Sequence, residues 1–354
     1  MKSVKFITAL LFAAVMSIVL ASVMDANPVY CFAGLLLLSL LPTPKGVMQM
    51  ALQVEIWEKD IVKNLYKNNK FAQFAFNADM YVLKGKVVHI PVAGAPGQIK
   101  KNLAVFPQTA LKRTDSDITY AIDTFYLLPR HIEEIEKYEI SYDKRQSMVG
   151  EDEEFLIQCA MDSLLYRWAP AVAKTILTDG AVVDATLSGA TGQRAAFTKQ
   201  AFHDIFLQWN AARISDNDRY ALLTAHHYSQ FFNSLSEAEK TDMGRVADLT
   251  KGVVGEYMGI KIMRRSEVLR YRGADGAYAV VDELDEAYVA DAEDRAASFF
   301  WQKECVERAF GEVKMFDNPN RAEYFGDIFS MQLRLGGRIR RVNGVFAVVE
   351  ALAA

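Results

Sequence analysis

The sequence is short of the residues that most chemistry needs. Its 354 residues hold three cysteines, Cys31, Cys159 and Cys305, widely spaced and odd in number. That excludes a disulfide framework, and no pair has zinc-ligand spacing. Cys159 and Cys305 are expected to act as small apolar residues in a reducing compartment. Basic charge is scarce too: Lys and Arg total 40 against 44 Asp and Glu, a net −4. A chain so balanced does not neutralise a nucleic-acid backbone by mass action, which leaves enclosure or weak contact as its relation to DNA.

Catalytic signatures are missing as well. "SGATGQR" (188–194) is polar and glycine-containing, but no Gly-Lys-Ser/Thr follows, so it is a linker and not a phosphate loop. There is no Gly-x-Ser-x-Gly elbow, no His-Glu-x-x-His helix and no Cys/His pairing in a known context. His226 and His227 are adjacent in "DRYALLTAHHY" (218–228), which reads as a buried strand leading into a loop; neighbours on a strand point to opposite faces and do not converge on a metal. The acids Asp282, Glu283, Asp285, Glu286, Asp291, Glu293 and Asp294 read as a solvated face. The residues call for no catalytic group, cofactor or metal. No period of 20–50 residues repeats, which excludes a solenoid.

What the chain does have is apolar content, 51% against 24% charged, enough for two modest domains or one elaborated one. Some of it is concentrated at the start. Lys2 and Lys5 precede "FITALLFAAVMSIVLASVM" (6–24), an uncharged run long enough to span a bilayer. It also fits a signal peptide, with Val19-Leu20-Ala21 as a cleavage site. "VYCFAGLLLLSLL" (29–41) follows; at ~1.5 Å per helical residue it reaches only ~20 Å. "PTPKG" (42–46) then uncouples this membrane-directed prefix from the chain that resumes near Met48 or Met50.

From there the order of elements reads as α+β. Trp57, Ile61 and Leu65 share one stripe of a short amphipathic arm. "KGKVVHIPVAG" (84–94) reads as a strand, with Pro91 arguing against a central position. "LAVFP" (103–107) returns, and "DITYAIDTFYLLP" (117–129) closes a long two-stranded excursion that needs something to lie on. "PRHIEEIEKYEISYDKRQSMVGEDEEF" (129–155) alternates charge sign with Ile and Tyr; composition alone favours a solvated face there, and contact with another surface is the second reading. His89 in the strand and His131 in this connector read as structural or exposed.

Four acids, Glu151–Glu154, then open a long helix with Ile157, Met161, Leu164, Leu165 and Trp168 on its buried stripe. Phe202, Ile205, Phe206 and Trp209 mark another helix, capped near Thr198. "GVVGEYMGIKIMRRS" (252–266) reads as a strand approached by tight turns. Phe329, Met331, Leu333 and Leu335 alternate with polar residues, and Gly336-Gly337 and Asn343-Gly344 are expected to be hairpin turns before "VFAVVEA" (345–351).

In this order of parts the chain from Met50 resembles a tailed-phage major capsid protein of the Hong Kong 97 type. "GKVVHIP" (85–91) resembles the opening of that family's extended loop. The connector with its spine helix (151–177) is the most distinctive match. "RYALLTAHHY" and "GVVGEYMGIKI" resemble axial-domain strands, and "YFGDIFSMQLRLGGRIRRVNGVFAVVEA" (324–351) resembles the return strands of the peripheral domain. The resemblance implies a prefix at 1–48, an N-terminal arm at 49–80 and an extended loop at 81–128. A peripheral domain follows at 129–190, a mainly axial domain at 191–323, and peripheral return strands at 324–354.

The implied function is an icosahedral shell subunit that self-assembles through pentamers and hexamers around double-stranded DNA without sequence-specific contact. Portal, scaffold and maturation protease are implied as further partners. The virion is the implied location, with assembly in the host cytoplasm or at the inner membrane, which the prefix would contact transiently. Contact candidates between subunits are Trp57, Ile61, Leu65, Lys86, His89, Arg130, Glu133, Glu136, Lys144 and Arg145. Some family members cross-link a loop lysine to a neighbour; Lys84, Lys86, Lys100 and Lys101 lie in that region, but no motif fixes a partner. Two other readings stand beside this one: a bacterial nanocompartment shell of the same fold, and a membrane-anchored or exported binding protein or enzyme.

Overall fold

The computed structural model describes residues 69–83, 87–92, 101, 116–133, 144–282, 284, 285 and 288–352. The apolar prefix, the arm stripe of Trp57, Ile61 and Leu65, the "LAVFP" strand, Lys86 and Glu136 lie outside the described residues. No described helix is long and apolar enough to cross a membrane.

The described chain begins with a 3-10 turn at Lys70–Phe74, then strands β1 (Phe76–Asn77), β2 (Val82–Leu83), β3 (Val87–Val92), β4 (Ser116–Ala121) and β5 (Asp123–Glu133). Helix α1 (Lys144–Trp168) leads to β6 (Thr175–Leu177), β7 (Val182–Asp184) and β8 (Gln193–Ala195). Next come α2 (Gln200–Ala211), β9 (Arg219–Thr224), α3 (Ala225–Ser234) and α4 (Glu237–Gly244). Strands β10 (Val253–Tyr257), β11 (Ile260–Arg265), β12 (Leu269–Arg272), β13 (Ala279–Val280), β14 (Arg295–Gln302), β15 (Val306–Arg321), β16 (Gly326–Ile339) and β17 (Val345–Val349) complete the order.

Two sheets carry the fold. One has four strands in the order β1-β15-β16-β5. The other has eight, along the path β10-β11-β9-β14-β12-β13, with β17 and β6 added on the far side of β14. A small β2-β3-β4 sheet and the β7-β8 hairpin are separate.

Helix α1 covers the four-stranded sheet. Val149, Leu156, Ile157, Ala160, Met161, Leu164, Leu165 and Trp168 recur every three or four residues and are all buried. Each large apolar side chain in that stripe contributes roughly 1.5–3 kcal/mol of burial. The helix starts at Lys144, so Gly150 and the four acids lie inside it and not at its N-terminus. It stops at Trp168, well short of residue 177, because Pro170 supplies no amide to continue the ladder.

The eight-stranded sheet buries one face under α2 and α3. Phe202, Ile205, Trp209 and Phe231 meet Ala221, Leu223, Ile260, Ile262, Phe300 and Phe346 there. An aromatic cluster lies on the other face: Phe74 stacks on Tyr220 at 4.4 Å, and Trp168 lies 6.2 Å from both Phe299 and Trp301. The Trp301 indole donates to the Phe74 carbonyl at 2.8 Å, which fastens the chain just after the first 3-10 turn to this sheet.

Several local expectations are corrected. "TAHHY" opens a helix: Thr224 is its N-cap, accepting from the His227 amide at 3.1 Å, so His226 and His227 lie on α3. Residues 252–266 form the β10–β11 hairpin, with Met258 (φ 52°) and Gly259 (φ 77°) both left-handed at its turn. Gly336 and Gly337 are inside β16; a Cβ on Gly337 would lie 2.5 Å from Leu164 and 2.6 Å from the Glu307 carbonyl, so helix proximity explains the glycine. After Asn343-Gly344, β17 does not return to β16 but pairs with β14 and β6 in the other sheet. The partner of β16 is β15, which starts at Val306. Part of the "linker" 188–194 is strand β8, and its Arg194 is buried, donating to the Ala292 and Asp294 carbonyls. Asp294 is also buried, against the solvated-face expectation, and pairs with Arg270 at 3.2 Å and Arg272 at 2.6 Å.

Candidate subunit interface

Strand β3 pairs with β4 from Val87↔Ala121 to Val92↔Ser116, so these parts of the expected excursion form a ribbon, whereas β5 from Asp123 leaves it to pair with β16. It is rooted by β2, which reaches only Val87 and Val88. Pro91, further out, therefore sits where β3 has no third strand beside it among the described residues, which reconciles the proline with the sheet. Below the root lies a small cluster of Ala78, Val88, Ile122 and Ala309. Tyr120 reaches the same place. Burial, and next the Glu307 carboxylate, push its phenol pKa up, and the Arg338 guanidinium lies over its ring at 5.6 Å. Glu307 is itself buried and accepts from Arg338 Nε at 2.6 Å.

Directly opposed residues of antiparallel strands share a face. Gly337 meets α1, so Phe329, Met331, Leu333 and Leu335, in step with it, face the helix, as do their partners Phe125, Leu127 and Met315. The intervening residues leave on the opposite face: Gln332 opposes Tyr126 and Lys314, and Ser330 opposes Phe316. Tyr126 is 68% exposed and Phe316 49%, and Leu128, at the irregularity in β5, is 77%. At the β15–β16 turn Tyr324 and Phe325 are exposed too, with Tyr324 5.8 Å from the His131 ring. Large apolar side chains gathered on one sheet face and its tip mark an interaction surface more than they suit a free one.

The contact residues expected from the sequence fall near this surface only in part. His89 sits in β3 opposite Thr119, at the ribbon root. Arg130 in β5 is half exposed and pairs with Asp152 of α1 at 3.1 Å, an internal contact worth ~0–1 kcal/mol. Glu133 is exposed at the end of β5, and Lys144 and Arg145 are the first residues of α1. The exposed Tyr126, Leu128, Phe316, Tyr324 and Phe325 were missed. Their signal is an apolar run on both strand parities, "TFYLLP" and "KMF", which a sheet with one wet face does not require.

One constellation has the outline of a catalytic triad. His227 Nδ1 lies 2.7 Å from Ser298 Oγ and its Nε2 3.4 Å from Glu350 Oε1. All three residues are sealed in the core, with His227 stacked on Phe197 at 5.2 Å. Glu350 also accepts from Thr186 and from the Ala296 amide. No substrate reaches a hydroxyl in that position, so the network ties β17 to α3 and β14. Among the described residues no group of three or more His, Cys, Asp or Glu is placed to hold a metal.

No protein-family model matches the sequence, and no curated protein sequence matches it. Solved structures do. The capsid of Ralstonia phage GP4 aligns over 79% of this chain and 88% of its own, with a TM-score of 0.54 and 11% identity. The capsid of cyanophage P-SCSP1u aligns over 79% and 86%, with 0.51 and 16% identity. The cyanophage Pam1 capsid aligns over 80% and 92%, with 0.51 and 11%.

The fold is of the Hong Kong 97 type. At such identities the likeness rests on architecture and not on shared side chains. The α1 helix and four-stranded sheet, the ribbon and the eight-stranded sheet are therefore elements of that fold.

Proposed function

We propose that this chain is the major head protein of a tailed phage, self-assembling into a closed icosahedral shell around double-stranded DNA. One observation carries the reading: on a fold shared with capsid subunits, a thinly rooted ribbon and an apolar sheet face are left for other molecules to cover. Copies of the same chain supply that cover when each lies across the next in a ring. The mild net charge of −4 suits a wall that must not hold DNA entering under force.

In this reading the four-stranded sheet with α1 is the peripheral domain and the eight-stranded sheet the axial domain, the chain crossing between them after Trp168, again at Val306 and back before Val345. Residues 49–80 are the arm and 81–122 the extended loop, because β5 from Asp123 already belongs to the four-stranded sheet. The prefix 1–48 tethers immature shells to the inner membrane and is absent from mature particles. Portal, scaffold and maturation protease are the further partners, and the virion is the final location.

The test is to express the full chain and image it by negative stain alongside sedimentation. Uniform shells or rings of five and six support the reading, and a stable monomer overturns it. Particles that enclose cargo protein and never DNA would make the shell a nanocompartment. Intact mass settles the prefix: retention of residues 1–45 in every subunit of purified particles contradicts its removal.

A further inference from the structure

We infer that neighbouring copies dock head to tail, a basic aromatic cavity on one copy receiving the loop around Val289 of the next. The inference rests on the shell reading and specifies which surfaces meet.

The cavity has a volume of about 520 Å³, and its lining includes Phe74, Tyr220, Val246, Lys251, Lys261 and Lys303. The stacked pair Phe74–Tyr220 forms an aromatic wall, with Lys261 Nζ 5.5 Å from the Tyr220 ring centre. Asp218 and Asp248 also line the cavity, and both are engaged: Asp218 with Lys261 at 3.7 Å and the Tyr220 hydroxyl at 3.2 Å, Asp248 with Lys251 at 3.2 Å. Lys303 has no carboxylate partner among the described residues. Beyond Gly252 a second cavity of about 270 Å³ adds Lys70, Arg264 and Arg265. The two cavities are thus lined by six cations and two carboxylates, Arg265 being paired with Asp162 outside the lining, on a chain whose net charge is −4. Val246, 51% exposed, adds an apolar rim.

The complement is at the other end of strand β14. The cavity lies where β14 ends, Lys303 following its last residue, Gln302, and the loop from β13 enters β14 at its first residue, Arg295. There Val289 is 74% exposed, with exposed Asp291 and Glu293 just after it. The loop is braced for contact. Arg272 donates to the Val289 carbonyl at 2.7 Å, and Asp294 accepts from the Asp291 amide at 3.1 Å and the Tyr288 hydroxyl at 3.3 Å. A loop already fixed loses little conformational freedom on docking.

Surfaces at opposite ends of one strand do not meet within a molecule. Between copies they make a heterologous, head-to-tail contact, the kind that closes into a ring. Exposed charge pairs give register and association rate more than affinity, which suits subunits that must find one orientation among many.

The test is a charge swap in the full chain. Lys261→Glu with Lys303→Glu, and separately Asp291→Lys with Glu293→Lys, are expected to lower particle yield at least tenfold while leaving the circular dichroism and denaturation midpoint of the subunit unchanged. Combining all four in one chain is expected to restore assembly. The inference is overturned if either pair alone assembles like the unmodified chain, or if the fourfold variant does no better than the pairs. It is also overturned if the lysine changes reduce packaged DNA at unchanged particle yield, since the cavity would then serve nucleic acid. An unmodified chain that forms no rings at all would instead sink the shell reading beneath it.

Discussion

The indole nitrogen of Trp168, the last residue of α1, donates to the main-chain carbonyl of Glu307 in β15 at 2.9 Å, across 139 residues of sequence. The same ring packs on Phe71, Phe299 and Trp301, so one side chain joins α1, the first 3-10 turn and both sheets. The Glu307 residue that supplies this carbonyl uses its side chain at the ribbon root. The frame that holds the ribbon and the frame that joins the sheets therefore share a residue.

Replacing Trp168 by Phe keeps most of the apolar volume and leaves a buried carbonyl without its donor. The expected cost is about 1–3 kcal/mol, and Trp168→Ala should cost about 3–5 kcal/mol. Gly337→Ala forces α1 away from β16 and should cost at least about 1–3 kcal/mol. Urea denaturation midpoints of the dissociated subunit check all three, and an unchanged midpoint for Gly337→Ala would contradict the close packing described.

Tyr126→Ser with Phe316→Ser should behave in the opposite way. Both side chains lie on the sheet face away from α1, so subunit stability should shift by no more than about 0.5 kcal/mol. Assembly should fall sharply, read as the fraction of chain that sediments as rings or shells. Loss of stability without loss of assembly would show that the face is not used between copies.

Acid should weaken the core through two buried carboxylates. Burial opposes the charged form of Glu350, but His227, Thr186 and the Ala296 amide outweigh it and hold its pKa below the ordinary value. Asp294 is likewise held down, burial being outweighed by Arg272, the Asp291 amide and Arg270. A folded pKa below the unfolded one gives stability that is complete above the ordinary carboxylate range, about pH 4.5 for Glu350, and is lost as pH falls through the folded value. Denaturation midpoints should therefore drop below that pH, and Glu350→Gln should flatten the drop. An equal slope in the variant would contradict this role.

At the ribbon root, Tyr120→Ala should loosen β3 and β4 while sparing the sheets. Hydrogen exchange would read faster exchange at residues 87–92 and 116–121 and little change in α1 or β14. Uniform acceleration across the chain would mean that the root is part of the global core instead.

Much of this was legible in the sequence because burial imposes periodicity. The α1 stripe from Ile157 to Trp168 and the alternation of Phe329, Met331, Leu333 and Leu335 both mark buried faces, and all of those residues are buried. Boundaries were less visible. Seen alone, the four acids at 151–154 look like a helix start, because nothing local shows that Lys144 already begins it. The glycine pair in β16 looked like a turn because sequence does not show a helix pressing on a strand. The exposed apolar residues escaped for a related reason: Tyr126 and Phe316 look like core until the register shows that α1 covers only the other face. The buried acid Asp294 was lost among acidic neighbours, since its partners Arg270 and Arg272 lie on another strand.

The central claim is that the ribbon and the apolar sheet face are completed by other copies of the chain. Hydrogen exchange on the full chain, compared between assembled particles and subunits dissociated in mild denaturant, tests it most directly. The account predicts that residues 87–92 and 116–121 are protected in particles and exchange quickly in free subunits, while α1 is protected in both. A free monomer that protects the ribbon as fully as any particle does, and that never forms rings, would contradict it.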